Sequence, residues 1–365
     1  MCKSLCMSTW DPREPYNDLP PIPHRDVLET ATVLRAAIGA NAALARLDQA
    51  ASAMPNPAVL INSIPLLEAQ ASSEIENIVT TTDALFRHVD DDSSADAATR
   101  ETLRYRSALR TGSELAAARG ITVNTARAVC TSIKGRDMWI RSLPGTRIGN
   151  PVTGDVAYSP PEGSDLIRAK LSDWEHFVHD DDGPDTLVKM AAAHYQFEAI
   201  HPFADGNGRT GRILNVLMLV EAGLITMPLL YLSRYIISTK SEYYARLLAV
   251  TAEGAWEAWL LYILKGVETT SLETVAKIRA VRALQDDFAH HARDALRSSV
   301  DVELFAVLFE QPYCRISNVV ERCHVSRPTA TKWLRALAAR GLLREHRAGR
   351  EVLFINHAFL DLLAS

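Results

Sequence analysis

Cysteine is scarce in this chain, and what there is has no pattern. Cys2, Cys6, Cys130, Cys314 and Cys323 are odd in number and scattered, without the paired C-x-x-C spacing of a zinc site or a redox motif. That excludes a disulfide-stapled scaffold and points to reduced thiols in a reducing compartment. No apolar run approaches the roughly 18 to 20 residues that cross a bilayer, and Met1 to Trp10 lacks the charged-then-apolar form of a secretory signal. A cytoplasmic protein without a membrane partner is expected. Positive charge is not in excess either: the formal net charge is -5, which argues against a uniformly basic nucleic-acid or membrane binder while leaving local patches open.

Strand signal is also sparse, and what remains is helical. At 365 residues the chain has room for two or three domains. Residues 1–25, rich in proline and polar groups, read as an extended arm. From His24 to His88 alanine and leucine recur at helical spacing, interrupted at Pro55 and Pro57. An acidic loop at Asp90 to Asp96 precedes helices over Ala97–Arg119 and Asn124–Lys134. "RIGNPVTGDVAYSPP", residues 147–161, is the strand candidate before the C-terminal region and reads as a hairpin with its turn near Gly154. A second acidic loop leads to a helix from about Thr186, and helices continue through Gly266. After Val300 come three short amphipathic helices, the third capped by Ser326 and ended by Gly341, then a hairpin around Ala348 and Gly349. That is the plan of a winged helix-turn-helix. The expected fold is mostly α, divided into a helical region over 1–95, a core over 96–270, a helical linker over 271–299 and a winged domain over 300–365.

The chemistry concentrates in "HPFADGNGRTGR", His201 to Arg212. Gly206, Gly208 and Gly211 have the G-x-G-x-x-G spacing of a dinucleotide fingerprint, which requires a preceding strand and an acid about twenty residues on. Here an alanine-rich helical stretch precedes it and "MPLLYLSRY" follows, so that reading fails. A phosphate loop survives on other grounds. The glycines open backbone N–H groups to an anion, and the helix starting near Arg209 turns its positive end to the same spot. Arg209 and Arg212, three apart, share one face of the first turn and can grip adjacent phosphates. Asp205 offers a hard oxygen for Mg2+, and His201 has a pKa suited to taking a proton near neutral pH. Together they suit attack of a hydroxyl on a nucleoside triphosphate.

The stretch resembles the Fic motif, H-x-F-x-[DE]-G-N-G-R-x-x-R, at every specified position, with similarity over about residues 72–266. The resemblance implies a Fic-like helical core with a β-hairpin flap, and transfer of AMP from ATP to a Ser, Thr or Tyr hydroxyl of a target protein or of the chain itself. It implies His201 as base and Phe203 as anchor of the loop in the core. It implies Asp205 as the Mg2+ ligand, Gly206, Asn207 and Gly208 as the anion hole, Arg209 at the β-phosphate and Arg212 at the γ-phosphate. Ile148, Val156, Ala157 and Tyr158 become the flap that docks the target by strand addition, and Tyr243 or Tyr244 stacks on the base.

"SSEIEN" resembles the family's inhibitory motif [ST]-x-x-x-E-[GN], with Ser72, Glu76 and Asn77 in the specified places, on a helix expected over about 68–80. The expected mechanism is electrostatic: Glu76 pairs with Arg212 and withholds it from the γ-phosphate. The C-terminal domain carries nine basic residues against two acidic ones between Tyr313 and Arg350. Arg327, Thr329, Thr331 and Lys332 fall on its recognition helix, with Arg347 and Arg350 on the wing, so duplex DNA is one expected partner. Dimerisation and docking of protein targets are the alternatives for this domain. Alternatives for the whole chain are an ATP-sensing DNA-binding regulator, the same loop with another donor (UMP, phosphate or phosphocholine), and AMP removal.

Overall fold

The computed structural model describes residues 10–149, 153–296, 302–348 and 351–365. Arg350 of the expected wing and Asn150 and Pro151 of the expected hairpin lie outside the described residues. So do Cys2 and Cys6; Cys130, Cys314 and Cys323 are buried.

Residues 10–24 have no helix or strand, as the prolines dictate, yet they are strapped onto the core. Tyr16 donates its N–H to Ser159 O (2.9 Å), Lys170 Nζ donates to Leu19 O (2.7 Å) and Gln196 Nε2 to Pro20 O (2.9 Å). Helices follow: α1 (Arg25–Leu28), α2 (Ala31–Ser52), α3 (Ala58–Ile75) and α4 (Thr82–His88). The break between α1 and α2 comes at Thr30, whose hydroxyl accepts from Val33 N–H and caps α2. The inhibitory helix expected over about 68–80 is a correction: α3 begins at Ala58 and stops at Ile75. Asn77 adopts φ 61°, a left-handed conformation that a continuing helix does not accommodate, so Glu76 becomes the C-cap.

The core contains α5 (Ala97–Arg119), α6 (Val123–Lys134), the antiparallel pair β1 (Ile148–Gly149) and β2 (Val156–Tyr158), then α7 (Ser164–Val178), α8 (Thr186–Ile200), α9 (Asn207–Glu221), α10 (Leu232–Ser238), α11 (Lys240–Glu253) and α12 (Trp256–Leu296). Asp96 and Thr122 cap α5 and α6 through Thr99 N–H (2.8 Å) and Thr125 N–H (3.2 Å). α8 and α9 are buried on nearly every side, as alanine-rich and aliphatic helices without a polar face must be. They form the centre against which α5, α6, α7 and α12 pack. α12 is 41 residues long and runs through Gly266 and the boundary expected at 270 and 271 without a break: Gly266 lies against Leu232 and Tyr235 of α10, where a Cβ would not fit, and the Thr270 hydroxyl donates back to Gly266 O (2.8 Å) instead of capping a new helix.

The C-terminal region comprises α13 (Val302–Glu310), β3 (Tyr313–Arg315), α14 (Ile316–Arg322), α15 (Arg327–Ala339), β4 (Arg344–Ala348), β5 (Glu351–Ile355) and α16 (His357–Ala364). The strands form an antiparallel sheet in the order β3-β5-β4. β3 and α16 were not expected: three residues are too few to reveal a two-residue alternation. The acidic loop before α5 is not simply solvated. Asp90 pairs with Arg315 (3.2 Å) and accepts from Gln311 Nε2 (2.8 Å), while Tyr313 donates its hydroxyl to Asp83, fastening this region to the N-terminal helices. Among the described residues no helix is long and apolar enough to cross a membrane.

Candidate active site

The loop from His201 to Arg212 joins the two central helices, so rigid, buried elements hold both its ends. His201 is the C-cap of α8 with φ 48°, an uncommon conformation for a residue with a side chain. Arg141, which sequence reasoning missed, fixes the turn: its Nε donates to His201 O (2.7 Å), and its Nη2 to Ile200 O (3.2 Å) and Pro161 O. Phe203 is 1 % exposed and packs against Phe197 with ring centroids 6.3 Å apart. Asn207 staples the loop across its own turn, accepting from Phe203 N–H (2.9 Å) and donating to Phe203 O (2.8 Å). Both ends of that amide are thus occupied, and of the anion hole expected at Gly206, Asn207 and Gly208, Asn207 contributes backbone only. Gly206 takes φ 85° and α9 begins after it. Thr210 N–H is bonded to Gly206 O (3.0 Å), which leaves the N–H groups of Asn207, Gly208 and Arg209 ahead of the helix's own hydrogen bonds.

The two arginines diverge, contrary to the shared face expected. Positions three apart are about 60° apart around a helix, and each guanidinium is drawn to a different carboxylate. Arg209, its side chain 1 % exposed, donates from Nη2 to Glu101 on α5 (2.8 Å), and its Nε and Nη1 are buried without a partner. Lys134 on α6 bridges Glu101 (2.8 Å) and Asp205 (2.6 Å). Burial works against the Asp205 and Glu101 carboxylates, but Lys134 and Arg209 more than offset it and hold both below the usual range. Sequence reasoning missed Lys134 and Glu101, because a carboxylate and a lysine on separate helices carry no local signal.

Arg212 turns instead to α3. Its Nε donates to Ser72 Oγ (2.8 Å), and its Nη2 to Ser72 O (2.9 Å) and Glu76 Oε1 (2.8 Å). Arg212 is 2 % exposed in its side chain and Glu76 35 %. Burial opposes the Glu76 charge, yet Arg212 outweighs it and lowers the carboxyl's pKa. The neighbouring Asn77 accepts from Lys240 Nζ (3.3 Å), tying this end of α3 to α11. Gly208 is required by the contact: a Cβ there would meet Glu76 Oε1 at 2.3 Å.

A cleft of about 770 Å3 opens beside the loop, its walls including Glu76, His201, Gly208 and Arg212 together with Ala157 and Tyr244. Its volume suits a nucleotide. Of the two tyrosines expected to stack on a base, Tyr243 is 1 % exposed, its hydroxyl against His194 Nε2 (2.9 Å), whereas Tyr244 is 43 % exposed. Only Tyr244 offers an open ring. Tyr158, expected to receive the target, is buried and donates to Ala199 O (2.8 Å) between Trp10 and Tyr16. It roots the flap, leaving Ile148, Val156 and Ala157 as its accessible part.

Burial and the charge of Arg141 push the His201 imidazole down to about 4, so it is neutral at neutral pH and able to accept a proton. Burial takes His194 down to about 3. Between about pH 6.5 and 4 the unfolded chain therefore binds protons at these two histidines that the folded chain does not. Folding stability is full above about pH 6.5 and is lost as the pH falls toward the folded-state values, each histidine removing up to about 1.4 kcal/mol for every pH unit. Melting curves between pH 7.5 and 4 check this; the midpoint drop is expected to shrink when His194 is replaced by Gln.

Comparison with known proteins follows the same lines. The pattern described as Fic/DOC family N-terminal matches residues 34–114, Fic/DOC family matches 132–219, and Protein adenylyltransferase SoFic-like, C-terminal domain matches 284–359. The chain is 31% identical over 114 residues to the protein adenylyltransferase fic-1 of Caenorhabditis briggsae, covering 30% of this chain and 21% of that protein. It is 37% identical over 95 residues to a probable protein adenylyltransferase of Aquifex aeolicus (strain VF5), covering 25% and 28%. The matches thus span less than a third of the length of these curated relatives. Among solved structures, a Fic family protein from Desulfovibrio desulfuricans G20 superposes with TM-score 0.55 at 16% identity over 92% of this chain and 98% of that one. A Fic domain containing signaling protein from Bacteroides thetaiotaomicron VPI-5482 gives 0.50 at 17% over 65% and 95%. These likenesses show the fold.

Proposed function

On the premise that residues 34–114 and 132–219 form Fic/DOC family domains, we propose that the chain transfers AMP from ATP to a hydroxyl side chain of a target protein, restrained by Glu76. The observation that carries this reading is the Arg212 guanidinium, buried beside an open helix N-terminus and held by Ser72 and Glu76 at 2.8 Å. The N–H groups of Asn207 to Arg209 and the unpartnered nitrogens of Arg209 supply donors for an anion. With Glu76 withdrawn, Arg212 takes the γ-phosphate and the triphosphate lies along the cradle. The target hydroxyl then attacks the α-phosphorus in line, its proton passes to neutral His201, the bond to the β-phosphate breaks, and pyrophosphate leaves.

The residues fit Mg2+ at Asp205. That ion takes one or two carboxylates along with phosphate oxygens and water, and the Asp205 side chain, bound to Lys134, is still 53% open to solvent. Mg2+ there would neutralise charge on the leaving phosphates. The exposed flap residues near Ile148 and Ala157 would align an extended target segment through its backbone.

Transfer of label from α-labelled and γ-labelled ATP, to the protein itself and to a cell lysate, tests this reading. Label from the α position alone supports AMP transfer; label from the γ position alone turns the reading toward phosphate transfer, and none despite ATP binding toward another donor or toward nucleotide sensing.

A second reading concerns the C-terminal region, whose three-stranded sheet and short helices support the expectation of a winged helix. Arg327, Lys332 and Arg347 are exposed and Thr329 is half-buried, on α15 and β4. By contrast Arg322 pairs with Glu303 and Glu310, Arg335 with Glu345 and Arg315 with Asp90, so part of the basic excess is neutralised internally. Weak duplex-DNA binding is the expected outcome, with retention at low salt lost as salt rises; a salt slope unchanged in Arg327→Ala with Lys332→Ala would reject it.

A further inference from the structure

Resting on the reading of Glu76 as a brake, we propose that Glu68 is a positioning residue for it, the latch that holds α3 in its restraining place. Glu68 and Ser72, four apart, stand one above the other on one face of α3, and Glu76, four further on, is the C-cap that follows. Ser72 and Glu76 both hold Arg212. Glu68 points the same way, one turn earlier, and holds other elements. Its Oε2 accepts Ser233 N–H (3.0 Å) at the start of α10, and its Oε1 accepts the Tyr105 hydroxyl of α5 (3.2 Å) and the Ser233 hydroxyl. Glu68 is 3 % exposed, and Tyr105, Ser72 and Ser233 are fully buried.

A buried carboxylate costs free energy that a leucine would not. Burial pushes the Glu68 pKa up against the opposing pull of Ser233, Arg212 and Tyr105. What the carboxylate adds over an apolar side chain is direction, since three donors from two elements fix both the height and the rotation of α3. That matters because the Glu76 carboxylate is the charged partner of Arg212, Ser72 being a neutral one, and it stays beside the guanidinium only while the end of α3 keeps its height and rotation. Withdrawing that carboxylate with its backbone requires the last turns of α3 to shift, and Glu68 is the polar anchor at the root of those turns. A contact biases such an equilibrium only if it is stronger in one state, and the Glu68 contacts are made with α3 in its restraining position.

The test measures transfer from α-labelled ATP, the ATP dissociation constant and the melting temperature for the full chain, E68Q, S233A, E76G and E68Q with E76G. E68Q is expected to raise transfer about tenfold, equivalent to about 1.4 kcal/mol, and to tighten ATP binding. S233A, which keeps the charge and removes one donor, moves the same way by less. The double variant is expected to transfer no faster than E76G alone. A merely softened core would not produce a rise that disappears when Glu76 is absent. E76G raised while E68Q and S233A stay at the unmodified rate would remove the latch and leave the brake. E76G itself unraised would remove the brake and the latch with it. Should E68Q fail to fold, S233A carries the same test.

Discussion

Glu76→Gly is expected to raise transfer of label from α-labelled ATP by on the order of 100-fold, the change that follows if about 99% of molecules are restrained. The physical reason is that Arg212 cannot serve two anions. Its Nη2 is committed to Glu76 and to Ser72 O, and its Nε to Ser72 Oγ. Removing the carboxylate leaves a buried cation short of its counter-charge. The ATP-free variant should therefore lose stability, by about 1 to 3 kcal/mol, tempered because 35% of the Glu76 side chain already meets solvent. Saturating ATP should restore more of that loss than it adds to the unmodified protein. Unchanged turnover in the variant would remove the brake.

His201→Ala, placed in the Glu76→Gly background, is expected to cut transfer by on the order of 100 to 10,000-fold while leaving ATP affinity within about twofold, the outcome of the proposal that the imidazole takes the hydroxyl proton and holds no phosphate. The pH profile separates base from scaffold. With its pKa pushed down to about 4, His201 is unprotonated throughout the neutral range, so transfer should be flat from about pH 8 to 6 and fall as pH drops toward 4. Glu76 raises the His201 pKa, so in the Glu76→Gly background the acid limb should move lower still. An ATP affinity lost together with turnover in His201→Ala would assign the residue to nucleotide binding instead.

The helical character of the chain, the ends of several helices and the glycine turn of the His201 loop were readable from local sequence, because each depends on neighbours within about four positions. Ala97–Arg119 is bounded by an Asp cap and a glycine, both visible in the sequence. The stop of α3 at Ile75 and the buried state of Tyr243 and Tyr158 were not, since exposure is set by what packs on the far side. The same holds for Glu101, Lys134, Arg141 and Glu68, each working through a partner at least 33 residues away. By itself the sequence determined which groups can cradle an anion, move a proton and compete for an arginine, because those are properties of residue type and local spacing. Only the tertiary structure decided which arginine meets which carboxylate: Arg209 goes to Glu101 and Arg212 to Glu76, since a buried guanidinium takes the counter-charge that folding brings within hydrogen-bond reach.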